Sequence, residues 1–187
     1  AEHAGGLRRQ YWREKHFHLA FVREGCFVEL HWALDYPQSG ARSLVRAWER
    51  ARDTILSGQQ VILLSDEDAF LNLILHVRRF GNIFSLKQVM DAARIVRCAK
   101  DFDWEYVGAQ VARFKVRASF VFVAEQLRLF SAAVVPQETL GKIALGKGRQ
   151  EEIASLAWEG AFCRKKPLRK KFLAAHFLLR DTFLQAA

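Results

Sequence analysis

The chain has 187 residues, of which 51% are hydrophobic and 26% are charged, a balance typical of one globular domain or of one domain plus part of another. It has no apolar run of the roughly 20 residues that a membrane-spanning helix needs, and Ala1 to Arg13 lacks the apolar stretch of a signal peptide. The three cysteines form no CxxC pair, which gives no support for a disulfide framework or a zinc knuckle. We therefore expect a cytoplasmic protein without a membrane partner.

The net charge of +9 is compatible with a nucleic acid or with nucleotide phosphates as a partner. The basic residues are densest from Arg164 to Lys171, where the sequence is Arg-Lys-Lys-Pro-Leu-Arg-Lys-Lys. Solvated helix ends explain this segment most simply, and binding to RNA or to a protein is the alternative. The sequence has no RNP motif, no paired Cys/His finger and no Gly-rich KH loop.

Residues 16–34 are the only stretch in which the side chains alternate strictly, and Glu24-Gly25 interrupts the alternation. This pattern predicts a β-hairpin, preceded by a polar, basic and poorly ordered lead-in over residues 1–15. With Glu24 and Gly25 as the loop, the facing pairs are Val22 with Phe27, Ala20 with Glu29, and His18 with His31. A slip of one residue would mix apolar and polar side chains on each face, so this register is favoured.

The register sorts the hairpin into two faces. One face carries the apolar set and is expected to cover a core: Phe17, Leu19, Phe21, Cys26, Val28, Leu30, Trp32 and Leu34. The other face carries His16, His18, Glu29 and His31. Imidazole and carboxylate groups this close together suit a transition-metal site, and a polar face without a ligand is the alternative interpretation.

From residue 41 onward the apolar spacing is helical. The first helix is expected from Leu44 through Ile55 to a stop at Gly58, and the next begins at Ser65 with acids in its first turn. Further helices are predicted at 86–99, 104–114, 117–130, 136–145, 151–163 and 168–185. The predicted fold is mainly α with a small β part, a hairpin followed by a bundle of about seven helices.

The segment Val28-Glu29-Leu30-His31-Trp32 resembles the third acidic strand of the DNA polymerase β-like nucleotidyltransferases. More narrowly, the chain is similar to the family of uncharacterised nucleotidyltransferases. That family continues with an acidic helix start, an apolar helix with a His, a helix with an Asp, an Asp-Trp-Glu segment and a Val-Pro-Glu-like helix start. The matching segments follow in the same order at 64–68, 73–77, 90–93, 102–105 and 135–138. The resemblance extends over roughly residues 16 to 185.

The resemblance implies transfer of an NMP group from an NTP to an unknown hydroxyl acceptor, with Mg²⁺ as cofactor. It makes Glu29 the catalytic third carboxylate and a metal ligand, with His31 beside it. It also implies a nucleotide-binding cleft whose rim carries His76 and Asp91 with Arg78 and Arg79 near phosphate. A His76–Asp91 hydrogen bond that joins two helices is the structural alternative.

The chain departs from the family in its first fifteen residues. The family's Gly-Ser pair and Asp-x-Asp motif are expected before the hairpin, and residues 1–15 do not match them. Glu29 alone cannot supply the near-octahedral oxygen ligands that Mg²⁺ requires. The resemblance thus implies the C-terminal part of a nucleotidyltransferase, with residues 16–36 as the end of the catalytic core and 41–187 as a helical domain. We expect it to be inactive alone and to need the intact protein for Mg²⁺. The alternative is a non-catalytic helical module that binds a protein or RNA through its basic segment.

Overall fold

The computed structural model describes residues 11, 14–36, 45–80, 85–131, 135–162, 178, 179 and 181. The chain divides into two compact units, residues 1–62 and 63–187. In chain order the elements of the described part are β1 His18–Arg23, β2 Cys26–His31, α1 Val45–Glu49, β3 Arg52–Leu56, β4 Gln59–Leu63, α2 Asp66–Phe80, α3 Leu86–Cys98, α4 Trp104–Arg113, α5 Arg117–Phe130, α6 Gln137–Ile143 and α7 Lys147–Phe162. The prediction of a mainly α protein with a small β part and about seven helices is confirmed. The interpretation of residues 16–36 as the end of a catalytic core stays a prediction.

The first hairpin has the predicted register. Strands β1 and β2 are antiparallel, with His18 opposite His31 and Ala20 opposite Glu29. Glu24 and Gly25 have φ angles of 49° and 81°, as a two-residue turn of type I′ requires. A two-residue turn leaves no extra residue in either strand. The polar positions of β1 therefore lie opposite the polar positions of β2.

The apolar face of this hairpin does not cover a core along its length. Val28 and Leu30 are both 59% exposed, and Phe21 is 44% exposed. Burial occurs at the open end of the hairpin, where Phe17 precedes β1 and Leu34 follows β2. The expectation of a covered face is wrong for the middle of the strands, because β1 and β2 form a sheet of two strands with no further described strand beside them.

The helix expected to run to Gly58 is also wrong. Helix α1 ends at Glu49, and strands β3 and β4 form a second two-stranded sheet. Ser57 and Gly58 have φ angles of 50° and 78°, which again fit a two-residue hairpin turn. The β-branched side chains around this turn favour strands. The sequence was ambiguous because short apolar stretches fit both helical and strand spacing.

The second unit is built around α5, which is buried on nearly all sides. Its buried residues include Phe120, Phe122, Val123 and Leu127. Helices α2, α3, α4, α6 and α7 all contact it. A helix that is apolar around its whole circumference belongs inside a bundle, and α5 has this character.

Three parts of the prediction lie largely outside the described residues. These are the lead-in, of which only residues 11, 14 and 15 are described, the basic segment at 164–171, and the last helix, of which only residues 178, 179 and 181 are described. Within the described part of the chain, no helix combines the length and the apolar character needed to cross a bilayer.

Candidate functional site

The carboxylate of Glu29 lies beside two imidazole rings on the polar face of the first hairpin. Nε2 of His31 is 3.2 Å from Oε2 of Glu29, and Nε2 of His18 is 3.8 Å from Oε1. The two rings are stacked, with centroids 5.2 Å apart and planes inclined by 20°. The backbone register produces this arrangement, because His18 faces His31 directly and Glu29 is two residues before His31 on the same face.

The cluster is accessible to a ligand. The side chain of Glu29 is 42% exposed, and those of His18 and His31 are 29% and 34% exposed. His31 is within hydrogen-bond distance of one carboxylate oxygen of Glu29, whereas His18 is too far from the other oxygen for a hydrogen bond. A carboxylate has about four lone-pair sites, so this contact leaves acceptor capacity for another partner.

Phe17 supports both imidazole rings, a role that the sequence did not suggest. Its side chain is buried, and its ring centroid lies 4.3 Å from that of His18 and 5.5 Å from that of His31. His16 lies apart from this trio against aromatic rings, with centroid distances of 6.1 Å to Tyr36 and 6.3 Å to Tyr11. Alternation alone assigned Phe17 to the opposite face, so only the structure identifies this support.

The described residues do not form a complete metal site. Among them, no group of three or more His, Cys, Asp or Glu side chains is arranged to hold an ion. The transition-metal interpretation of the histidine face therefore gains no support from this conformation. For Mg²⁺, which prefers oxygen ligands in near-octahedral geometry, Glu29 offers one carboxylate and the imidazoles are poor ligands.

The four residues predicted to bind nucleotide lie in the helical unit. Arg78 is 3% exposed, and its Nη1 donates to the backbone oxygen of Phe114 at 2.9 Å. This bond joins α2 to the residue that ends α4. Arg79, the next residue on α2, is half-buried. A role of either arginine at phosphate stays a prediction.

His76 and Asp91 make different contacts from the expected pair. A ring nitrogen of His76 is 2.9 Å from Nε2 of Gln88 on α3. Asp91 accepts a hydrogen bond from Lys87 at 2.6 Å. The link between α2 and α3 is thus made through Gln88, one helical turn before Asp91, and a part of either residue in nucleotide binding remains a prediction.

Buried acids join the starts of α2 and α4. The predicted cap is confirmed, since the Asp68 N–H donates to Oγ of Ser65 at 3.1 Å. In addition, the Tyr106 hydroxyl donates to Asp68 at 2.8 Å, and the Asp103 N–H donates to Glu67 at 3.1 Å. Residues 66–68 and 101–103 both read Asp-x-Asp, yet Asp68 and Asp103 serve helix starts rather than a shared ligand site.

The model of the uncharacterised nucleotidyltransferase family matches residues 3–131, more than half of the chain. The chain belongs to the uncharacterised nucleotidyltransferase family. No curated protein and no solved structure matches the chain significantly.

The match covers the parts of the chain that carry the candidate residues. The Glu29 cluster on the hairpin lies inside residues 3–131, as do His76, Arg78 and Asp91 in the helical unit. The basic segment at 164–171 lies outside the match. Membership of the family therefore bears on the hairpin and the first helices, and not on a role of the basic segment.

Proposed function

We propose that this nucleotidyltransferase transfers an NMP group from an NTP to a hydroxyl acceptor and that Glu29 is a metal-binding catalytic carboxylate. Family membership supports the class of reaction. The role of Glu29 is supported by its exposed carboxylate, which lies beside the imidazoles of His18 and His31. A carboxylate that binds a cation gains from being oriented beforehand, because less ordering is needed when the ion and the nucleotide arrive.

In this proposal His18 and His31 are positioning residues. His31 lies within hydrogen-bond distance of one oxygen of Glu29, His18 stacks on His31 and lies near the other oxygen, and Phe17 packs against both rings. An imidazole N–H that donates to a carboxylate restrains its orientation and leaves acceptor capacity on its oxygens for a cation.

Mg²⁺ is proposed to bind when further carboxylates in the intact protein join Glu29. A bound divalent ion neutralises negative charge on the triphosphate and aligns the reacting oxygens. The contribution of this chain to such a site is one oriented carboxylate. The remaining ligands are proposed to be the carboxylates of the family's Asp-x-Asp segment.

The proposal is tested by Glu29→Gln in the protein at its natural length. The substitution keeps shape and removes charge, and we expect kcat for NMP transfer to fall about a hundredfold or more. The matched control is Glu24→Gln, at the turn of the same hairpin, where the carboxylate contacts only Arg23 among the described residues. Transfer of labelled NMP in the presence of Mg²⁺ is the measurement, and unchanged turnover in Glu29→Gln would reject the metal-binding role.

A further inference from the structure

A groove of about 600 Å³ lies in the helical unit and has no part in the proposed transfer. Its floor and walls are mainly apolar, formed by Trp104, Ala109 and Ala112 of α4 and by Ile143 of α6. Sites for small molecules commonly enclose roughly 300 to 1,000 Å³ and combine apolar walls with a few polar groups. In size and lining, this groove is a candidate ligand site.

The indole of Trp104 is a rigid wall of the groove. Its ring packs edge-on against Phe70, with centroids 5.8 Å apart, and lies 4.6 Å from the ring of Phe102. Phe70 is fully buried, so this wall is anchored in the core of the unit. A fixed aromatic surface binds a flat apolar body without the cost of ordering a side chain.

One end of the groove is negatively charged. Glu138 and Lys142, one turn apart on α6, are joined by a contact of 2.8 Å. The hydrogen bond with Glu138 raises the pKa of Lys142, and Glu105 raises it further. This end thus has two carboxylates and one ammonium group, which leaves an excess of one negative charge.

The other end has an arginine whose guanidinium is available. Arg117 is exposed and lines the groove where α5 begins. Its backbone N–H donates to the carboxylate of Asp181, a negative charge beside the arginine, and its guanidinium makes no hydrogen bond among the residues that the structure describes. Arginine binds carboxylate or phosphate through two parallel hydrogen bonds, so this end suits an anion. Glu105 and Ala112 are seven residues apart on α4, which is about 10 Å along the helix axis. This length of helix separates the two ends of the groove.

We propose that this groove binds a small zwitterion with an aromatic or other flat apolar body. The ammonium group of the ligand pairs with Glu105 and Glu138, its anionic group pairs with Arg117, and its body lies on Trp104. A ligand with only an anionic group would pair with Arg117 but not with the carboxylates of Glu105 and Glu138. A ligand with only an ammonium group would pair with the carboxylates but not with the guanidinium. The proposal stands independently of the transfer reaction.

Three probes with the same ring separate these cases. Tyramine phosphate carries both charges, phenyl phosphate carries the anion alone, and phenethylamine carries the ammonium alone. Calorimetric titration of the whole chain is expected to give at least tenfold tighter binding of tyramine phosphate than of either other probe. Equal affinity for all three probes, a preference for either singly charged one, or no saturable binding would overturn the proposal.

Two substitutions locate the binding. Arg117→Gln is expected to lower the affinity for tyramine phosphate at least tenfold and to leave phenethylamine unaffected. Ala112→Leu fills the exposed floor and is expected to weaken all three probes. Arg113→Gln is the matched control, because Arg113 is exposed on α4 but does not line the groove, and it should bind as the unchanged protein does. An equal loss in Arg113→Gln and Arg117→Gln would place the binding elsewhere and overturn the proposal, and circular dichroism checks that each variant is folded.

Discussion

The carboxylate of Asp181 caps α5 at Arg117, whose backbone N–H donates to Oδ2 at 3.0 Å. The other carboxylate oxygen accepts from the N–H of Ala118, also at 3.0 Å. Helix α5 needs this partner, because Val116 at its N-cap position makes no side-chain hydrogen bond. A residue near the end of the chain thus completes the first turn of the central helix.

Asp181→Ala should therefore lower the free energy of unfolding by about 1 kcal/mol, the usual cost of losing an N-cap side chain. Urea unfolding followed by circular dichroism measures the change. Glu152→Ala, an exposed acid on α7, is the control and should change stability by less than about 0.5 kcal/mol. Equal stability of Asp181→Ala and the unchanged protein would show that the cap contributes nothing.

Arg78→Met separates a structural role from a nucleotide-binding role at this position. The substitution leaves the backbone oxygen of Phe114 without the buried donor at 2.9 Å. We expect a loss of about 2 kcal/mol in unfolding free energy, within the usual range for an unsatisfied buried group. The control is Arg94→Met, at an exposed position on α3. Weaker NTP binding with unchanged stability would instead favour a role at phosphate.

The Glu138–Lys142 pair predicts a measurable pKa change. The hydrogen bond and charge of Glu138 are the main causes of the raised pKa of Lys142, and Glu105 adds less. Glu138→Gln should lower the pKa of the Lys142 ammonium toward its ordinary value, and Glu105→Gln should lower it by a smaller amount. NMR titration of the lysine side chain measures both, and an equal or reversed effect would contradict this order of causes.

The Glu138–Lys142 pair also predicts how its contribution to folding stability changes with pH. The pKa of Glu138 is lowered in the folded protein, so the stabilisation is present at neutral pH and is lost as pH falls through that lowered pKa. The pKa of Lys142 is raised, so the stabilisation is also lost as pH rises through that raised value. Both side chains are exposed, and the contribution to stability is correspondingly small.

Residues 1–187 by themselves are predicted to transfer no nucleotide and to bind Mg-NTP weakly. The physical reason is that Glu29 provides one carboxylate where the two-metal reaction needs several oxygen ligands. Incubation with labelled NTP and Mg²⁺, followed by separation of products, is the measurement. Robust transfer by these residues alone would show that the other carboxylates are already among them.

The first hairpin was predictable in detail because its information is local. Alternation and the Glu24-Gly25 turn together admit one register, and that register brings Glu29 next to His31 and His18. The second hairpin was missed although Ser57-Gly58 is a similar turn. The apolar residues before it also satisfy helical spacing, and in so short a stretch the two patterns cannot be separated.

Contacts between residues far apart in the chain could not be predicted from the sequence for a different reason. Asp181 is 64 residues from the N–H that it caps, and Tyr106 is 38 residues from Asp68. No local pattern indicates such partners, because they depend on how whole helices pack. The sequence suggested Asp91 as the alternative partner of His76, and the structure has Gln88 instead, for the same reason. Gln88 and Asp91 are one turn apart on α3, so spacing alone does not tell which of them faces His76.

The Glu24-Gly25 turn makes the Glu29 cluster sensitive to insertions and deletions. The approach of His18 to Glu29 and His31 depends on a loop of two residues. Insertion or deletion of one residue in this loop would shift one strand against the other. His18 would then no longer face His31 or lie near Glu29, although all three residues are unchanged. The arrangement of the three side chains therefore depends on the length of this loop as well as on their identity, although neither loop residue touches them.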